Sequence, residues 1–232
     1  MLPIPTVLWR HDALALHTTA WAAGPPGGST LYVRYRVDNA AEAPADVRLY
    51  LAVRPFQVLP PWQSLNILGG VSPIHVIDFD GRTVEVDGSR TVVSLTPPSR
   101  FGAASFAQSL TTTFLRRGEL PAETRVSDAF GYASGALEYP LTIPARGSAE
   151  VHLAVPLHDR QSTPPAPTPD PAAFEASYQR TVADWTARLG RVEFQLPPAA
   201  AKVGDTLRTT IAYMLINADG AALRPGPRTY AR

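Results

Sequence analysis

Carboxylates two residues apart occur twice within IDFDGRTVEVDG (77–88), as Asp78 with Asp80 and as Glu85 with Asp87. Two carboxyl groups held close together, one protonated and one ionised, are the equipment of general acid–base hydrolysis. On a strand, an i, i+2 spacing puts both members on one face. The same residues carry a plainer and weightier reading. Asp80-Gly81 and Asp87-Gly88 are tight-turn dipeptides, which makes these acids turn residues and solvated strand positions. DFDG also opens like a calcium loop, yet no acidic ligand follows at the required spacing. His11, His17, His75, His152 and His158 form neither HExxH nor a close i, i+4 pair, so no zinc site is expected. In GYASG (131–135) the serine stands at the wrong position for a nucleophile elbow. The chain has no cysteine, which excludes disulfides, thiolate metal sites and a thiol nucleophile. No catalytic residue, metal or cofactor is therefore assigned.

RPFQVLPPWQ (54–63) offers a different chemistry. Two prolines stiffen the approach to Trp62, and a rigid exposed aromatic is a surface on which a hydroxylated ring can stack. Arg54, Gln57 and Gln63 add hydrogen-bonding groups. The competing and favoured expectation has Phe56 and Trp62 plugging the end of the fold or a joint with a neighbouring domain. Trp185 is assigned to packing, and Trp9 and Trp21 to core or sheet-face positions.

These residues sit on strands. TLYVRYRV (30–37) and DVRLYLAV (46–53) alternate apolar and polar positions with period two, and the polar turn between them predicts an antiparallel pair. The two Asp-Gly turns predict a three-stranded meander. SFAQSLTTTFL, YASGALEYPLTI and SAEVHLAVPL bring the count to roughly ten strands. The fold class is mainly β: a large antiparallel, supersandwich-like β-sandwich over 1–157, then a proline-rich linker over 158–170. Asp170-Pro171 is a helix start, and Phe174, Tyr178, Val182, Trp185 and Leu189 form one helical stripe that stops at Gly190. RVEFQLP is expected as a short strand, closing the unit 171–197. Val203, Leu207, Ile211 and Leu215 mark a further helix within 198–232. An isolated helix of this kind needs a partner surface.

Twenty-one basic and 20 acidic residues give a net charge of +1, scattered along the chain, which leaves no basic stripe for nucleic acid. No apolar run reaches the length of a membrane helix. The N-terminal residues lack a signal-peptide pattern and read as a strand entered partway, and the compartment stays open.

RPFQVLPPWQSLNILGGVSPI (54–74), TLRTTIAYMLINADG (206–220) and LRPGPRTYAR (223–232) resemble the front part of glycogen-debranching or glucoamylase-like glycoside hydrolases. The resemblance implies an N-terminal β-sandwich joined by a helical linker to an (α/α)6 barrel that carries catalysis. The helix at 198–232 is then the first barrel helix, and the chain is expected to be truncated at the barrel's start. Tyr230 stands where that family has an aromatic before a Trp-x-Arg-Asp segment, which would begin just beyond Arg232. Tyr230 is thus implied to face sugar, with Arg232 beside it. The paired carboxylates of such enzymes, about 5–5.5 or 6.5–9.5 Å apart, would lie later still. The implied partners are the missing barrel and, through the full-length protein, an α-glucan or other oligosaccharide. The expected role is a non-catalytic sandwich that supports the barrel and lends its rim a loop. Two rivals stand beside it: a carbohydrate-binding module acting alone, and a structural or assembly domain.

Overall fold

The computed structural model describes residues 2–25, 27–57, 71–158, 169–192, 196–219 and 222–223. Two antiparallel sheets of unequal size face each other. The larger has the order β1-β2-β3-β13-β9-β8-β7-β11, with β1 at Thr6–His11, β2 at Leu14–Ala23, β3 at Thr30–Asn39, β7 at Val76–Phe79, β8 at Thr83–Val86, β9 at Arg90–Ser94, β11 at Arg125–Ser127 and β13 at Ser148–Pro156. The smaller has the order β10-β12-β4, with β4 at Ala45–Val53, β10 at Arg100–Ala104 and β12 at Ser134–Ile143. Two short pairs, β5 (Phe56–Gln57) with β6 (Val71–Ser72) and β14 (Ala218–Asp219) with β15 (Ala222–Leu223), lie apart from them.

Period-two alternation makes the core. Val33 and Val37 on β3, Val151 and Leu153 on β13, and Ile77, Val84 and Val86 on the meander turn inward to meet Leu51, Phe101, Leu137 and Tyr139 of the small sheet. A fully buried aliphatic side chain of this kind contributes about 1.5–3 kcal/mol. Tyr139 is buried with them, its hydroxyl 2.5 Å from Ser94 Oγ, and burial pushes its pKa up to about 12. The meander β7-β8-β9 forms on its Asp-Gly turns as expected. Asp80 Oδ1 accepts from the backbone N–H groups of Arg82 (2.9 Å) and Thr83 (2.7 Å), and Asp87-Gly88 adopts positive φ at both residues.

Two expectations need correction. Strands β3 and β4 do not pair: β2 and β13 occupy both edges of β3, and β4 joins β12 in the other sheet. Alternation identifies strands and their faces, but not their partners. The 40–44 connection crosses between sheets, fastened by buried Asn39, whose Nδ2 donates to the carbonyl oxygens of Ala43 (2.9 Å) and Pro144 (3.1 Å) and whose Oδ1 accepts from Ala41 N (3.0 Å). Within SFAQSLTTTFL the chain makes a short helix, α1 (Thr111–Leu115), not a strand. Trp9 takes a sheet-face position on edge strand β1 and is 69% exposed. The centre of RVEFQLP, residues 193–195, lies outside the described residues.

Helix α2 (Pro171–Leu189) starts as its sequence requires: Asp170 Oδ1 accepts from Ala172 N (2.9 Å), with Pro171 at the first helical position. It packs on the outer face of β2, β3 and β13. Trp21 and Phe174 meet edge to face at 4.8 Å, the His152 ring stacks on Phe174 at 4.0 Å, and Trp21 Nε1 donates to Ser177 Oγ (3.2 Å). Arg34 lies 4.9 Å from the Tyr178 ring centroid and pairs with Glu175. The buried face runs through Phe174, Ser177 and Thr181, so two small polar residues complete what the apolar stripe began.

Helix α3 (Ala201–Ile216) behaves differently. It buries Gly204 and Ala212, the small residues, and leaves Val203, Leu207, Tyr213, Met214, Leu215 and Ile216 exposed. Two substitutions separate core from surface. Leu137→Ala, at 0% exposure, should cost about 2–5 kcal/mol in chemical denaturation. Val203→Ala, at 54%, should change stability by less than about 0.5 kcal/mol.

Candidate functional site

At one end of the sandwich the segments around β5, residues 105–112 and residues 128–134 come together around one buried carboxylate. Asp128 Oδ2 accepts from the backbone N–H of Phe106 (2.7 Å), and its Oδ1 accepts from those of Phe130 (2.9 Å) and Tyr132 (3.2 Å). Its own N–H donates to the His75 carbonyl (2.8 Å), and its carbonyl accepts from Gly131 N (3.2 Å). The Phe106 N–H chiefly, with those of Tyr132 and Phe130, holds the Asp128 pKa below the usual carboxylate range, while burial pushes the other way. Asp128 is an ionised clamp, not an acid–base catalyst.

The clamp fixes the backbone of three aromatics and leaves their side chains outside. Phe106 is 54%, Phe130 75% and Tyr132 41% exposed, with the Phe106 and Tyr132 rings 5.6 Å apart and tilted by 45°. Gly131 makes this turn possible: its φ is +75°, and a Cβ there would lie 2.6 Å from Pro73 Cβ. Beside the aromatics lies a pocket of about 190 Å³ lined by Ala52, Arg54, Pro55, Leu110, Thr111, Thr112, Tyr132 and Ser134. In its wall the hydroxyl oxygens of Thr111 and Ser134 are 2.7 Å apart. Arg54 also lies 5.7 Å from the ring centroid of the exposed Phe56.

Among the residues singled out from sequence, Arg54 reaches this pocket. Gln57 lies on β5, next to Phe56, which pairs with Ser72. Trp62, Gln63, Tyr230 and Arg232 lie outside the described residues. Phe106, Asp128, Phe130 and Tyr132 went unnoticed in sequence; in DAFGY (128–132) Asp128 and Gly131 signal a turn, but nothing local signals the bond to Phe106.

The acidic pairs of the meander do other work. Asp78 pairs with Arg125, Asp80 caps its turn, and Asp87 Oδ1 accepts from His75 N and Val76 N (both 2.8 Å). Glu138, buried on the small sheet, accepts from Arg100 Nε (2.8 Å) and the Tyr50 hydroxyl (3.1 Å), and Arg100 above all holds its carboxyl below the usual range. No cluster of three or more His, Cys, Asp or Glu side chains able to hold a metal occurs among the described residues. No helix among them is long and apolar enough to cross a membrane.

No protein-family model and no curated protein matches the chain. Among the solved structures similar to it are two glycan-active proteins by title. One bears the name "Putative kojibiose phosphorylase from human microbiome", with 9% identity and a TM-score of 0.37 over 92% of this chain and 23% of that one. The other is the GH92-family glycosyl hydrolase CcMan5, with 16% identity and a TM-score of 0.38 over 90% of this chain and 28% of that one. The chain thus spans about a quarter of the length of these solved chains.

The clamp has a pH signature. Because the folded-state pKa of Asp128 is depressed, its contribution to stability is complete above the ordinary carboxylate range and is lost as pH falls below that range, through the folded value. Amide exchange at Phe106, Phe130 and Tyr132 should accelerate in that acid window before the sheets open. Asp128→Ala should remove their protection at neutral pH and cost about 1–3 kcal/mol.

Proposed function

We propose that this chain is a non-catalytic N-terminal β-sandwich domain of a glycoside hydrolase-like protein, supporting a helical catalytic barrel and contributing residues to its active-site rim. The observation that carries the reading is the inversion on α3. A helix that packs its glycine and alanine and exposes Val203, Leu207, Leu215 and Ile216 has its main apolar face turned toward neighbours still to be met. Further helices of a barrel fit such a face. The resemblance of residues 54–74, 206–220 and 223–232 to glucoamylase-like enzymes supplies the class of protein. Helix α2, fastened to the outer face of the large sheet, serves as the rigid connection between sandwich and barrel.

The exposed aromatics around Asp128 favour a second reading, a sandwich that captures oligosaccharide on its own. Both readings place sugar at the same end of the domain. They differ in whether this chain needs a partner to act on it.

Activity on α-linked glucans and aryl glycosides, compared between this chain and a longer one reaching through the proposed barrel, separates them. The longer chain alone should turn over, and replacing Tyr230 or Trp62 with Ala should reduce that turnover. Turnover by the 232-residue chain would overturn the proposal. Sugar binding by the shorter chain, with both inactive, would put the binding module in its place.

A further inference from the structure

The pocket between Arg54 and Tyr132 holds a hydrogen-bond donor to spare. Thr111 and Ser134 are 2% and 4% exposed, and their hydroxyl oxygens lie 2.7 Å apart. The pair carries two hydroxyl hydrogens, and the bond between them uses one. The Thr111 N–H also points at Ser134 Oγ (3.4 Å), which occupies a lone pair and no hydroxyl hydrogen. Whichever hydroxyl donates to the other, the remaining hydrogen has no acceptor within hydrogen-bond distance among the described residues. A buried donor without an acceptor is costly, and both side chains line the pocket, so the acceptor belongs inside it.

The rest of the pocket narrows what brings that acceptor. Ala52, Pro55 and Leu110 are apolar, and Tyr132 offers an aromatic side chain backed by Phe106. Arg54 adds a guanidinium whose N–H groups can only donate. The fitting ligand is a flat-faced ring carrying acceptor oxygens around its edge. Among such ligands, the carbohydrate-active reading above selects a sugar.

We infer that this pocket is a pyranose-binding subsite: the ring lies against Tyr132, one of its oxygens accepts from the Thr111–Ser134 pair, and outer oxygens accept from Arg54. Exposed Phe106 and Phe130 continue the surface beyond the pocket, where adjoining residues of an oligosaccharide would lie. Asp128 is the positioning residue, acting through the three amides it holds.

The test is an amide NMR titration of the 232-residue chain with maltotriose, cellotriose and mannotriose. At least one should shift the amides of Arg54, Thr111, Tyr132 and Ser134 saturably. Tyr132→Ala and Arg54→Ala should each weaken binding by about tenfold. Thr111→Val, which removes one hydroxyl and keeps the shape, should weaken it several-fold. Trp9→Ala, on the far edge strand, should leave it unchanged. Should Tyr132→Ala disturb the fold, Tyr132→Phe keeps the ring and should retain binding. Silence at these amides with all three sugars, or shifts gathered on β1 or α3, would overturn the inference. Such silence alongside an active longer chain removes the subsite and leaves the proposed function standing. Saturable binding here alongside an inactive longer chain does the reverse.

Discussion

Three strands face a sheet of eight, and most of the architecture follows from that mismatch. The core runs from β3 and β13 through β8 and β7 to β11, where Val33, Val151, Leu153, Ile77 and Val126 cluster with Leu137 and Tyr139 of the small sheet. Beyond it, β1 is left with Val7, Leu8 and Trp9 in solvent. The outer face of the large sheet is still available to a second layer, and α2 takes it. Burial of Trp21 against Phe174 and of Arg34 among the rings makes that helix part of the sandwich and not a tether.

The end of the sandwich obeys a different economy. Loops are held there by a charge, since burying a carboxylate is tolerable only when donors satisfy it. Asp128 finds three backbone N–H groups, and those bonds to its charge fix the positions from which Phe106, Phe130 and Tyr132 project. Stiff backbone with exposed rings is the arrangement that binding surfaces need and that a core never produces. Here the local cost of the strained turn at Gly131 and of the exposed aromatics is met by the clamp and by the packed sheets beneath.

The strands, the Asp-Gly meander, the cap of α2 and its aromatic stripe were legible because each rests on local chemistry: period-two alternation, positive φ, a side chain reaching its own helix. The β3–β4 crossing was not, since pairing depends on which edges are already taken, and β2, rich in threonine and alanine, gives little sign of taking one. Helix α1 hid inside a threonine-rich run that reads equally as strand. The face of α3 was legible as apolar, but its burial was not, because Gly204 and Ala212 form the packed contact through closeness and not through size. Of the site, Arg54 could be singled out from its neighbours in sequence. Asp128 could not, because its meaning comes from Phe106, twenty-two residues earlier.

In the proposed function α3 gives its large apolar side chains to further helices, while the sandwich folds without them. Hydrogen–deuterium exchange on this chain and on a longer one tests it most directly. The expected result is strong added protection across 201–216 in the longer chain and unchanged protection in the two sheets. Equal exchange of α3 in both chains would contradict it.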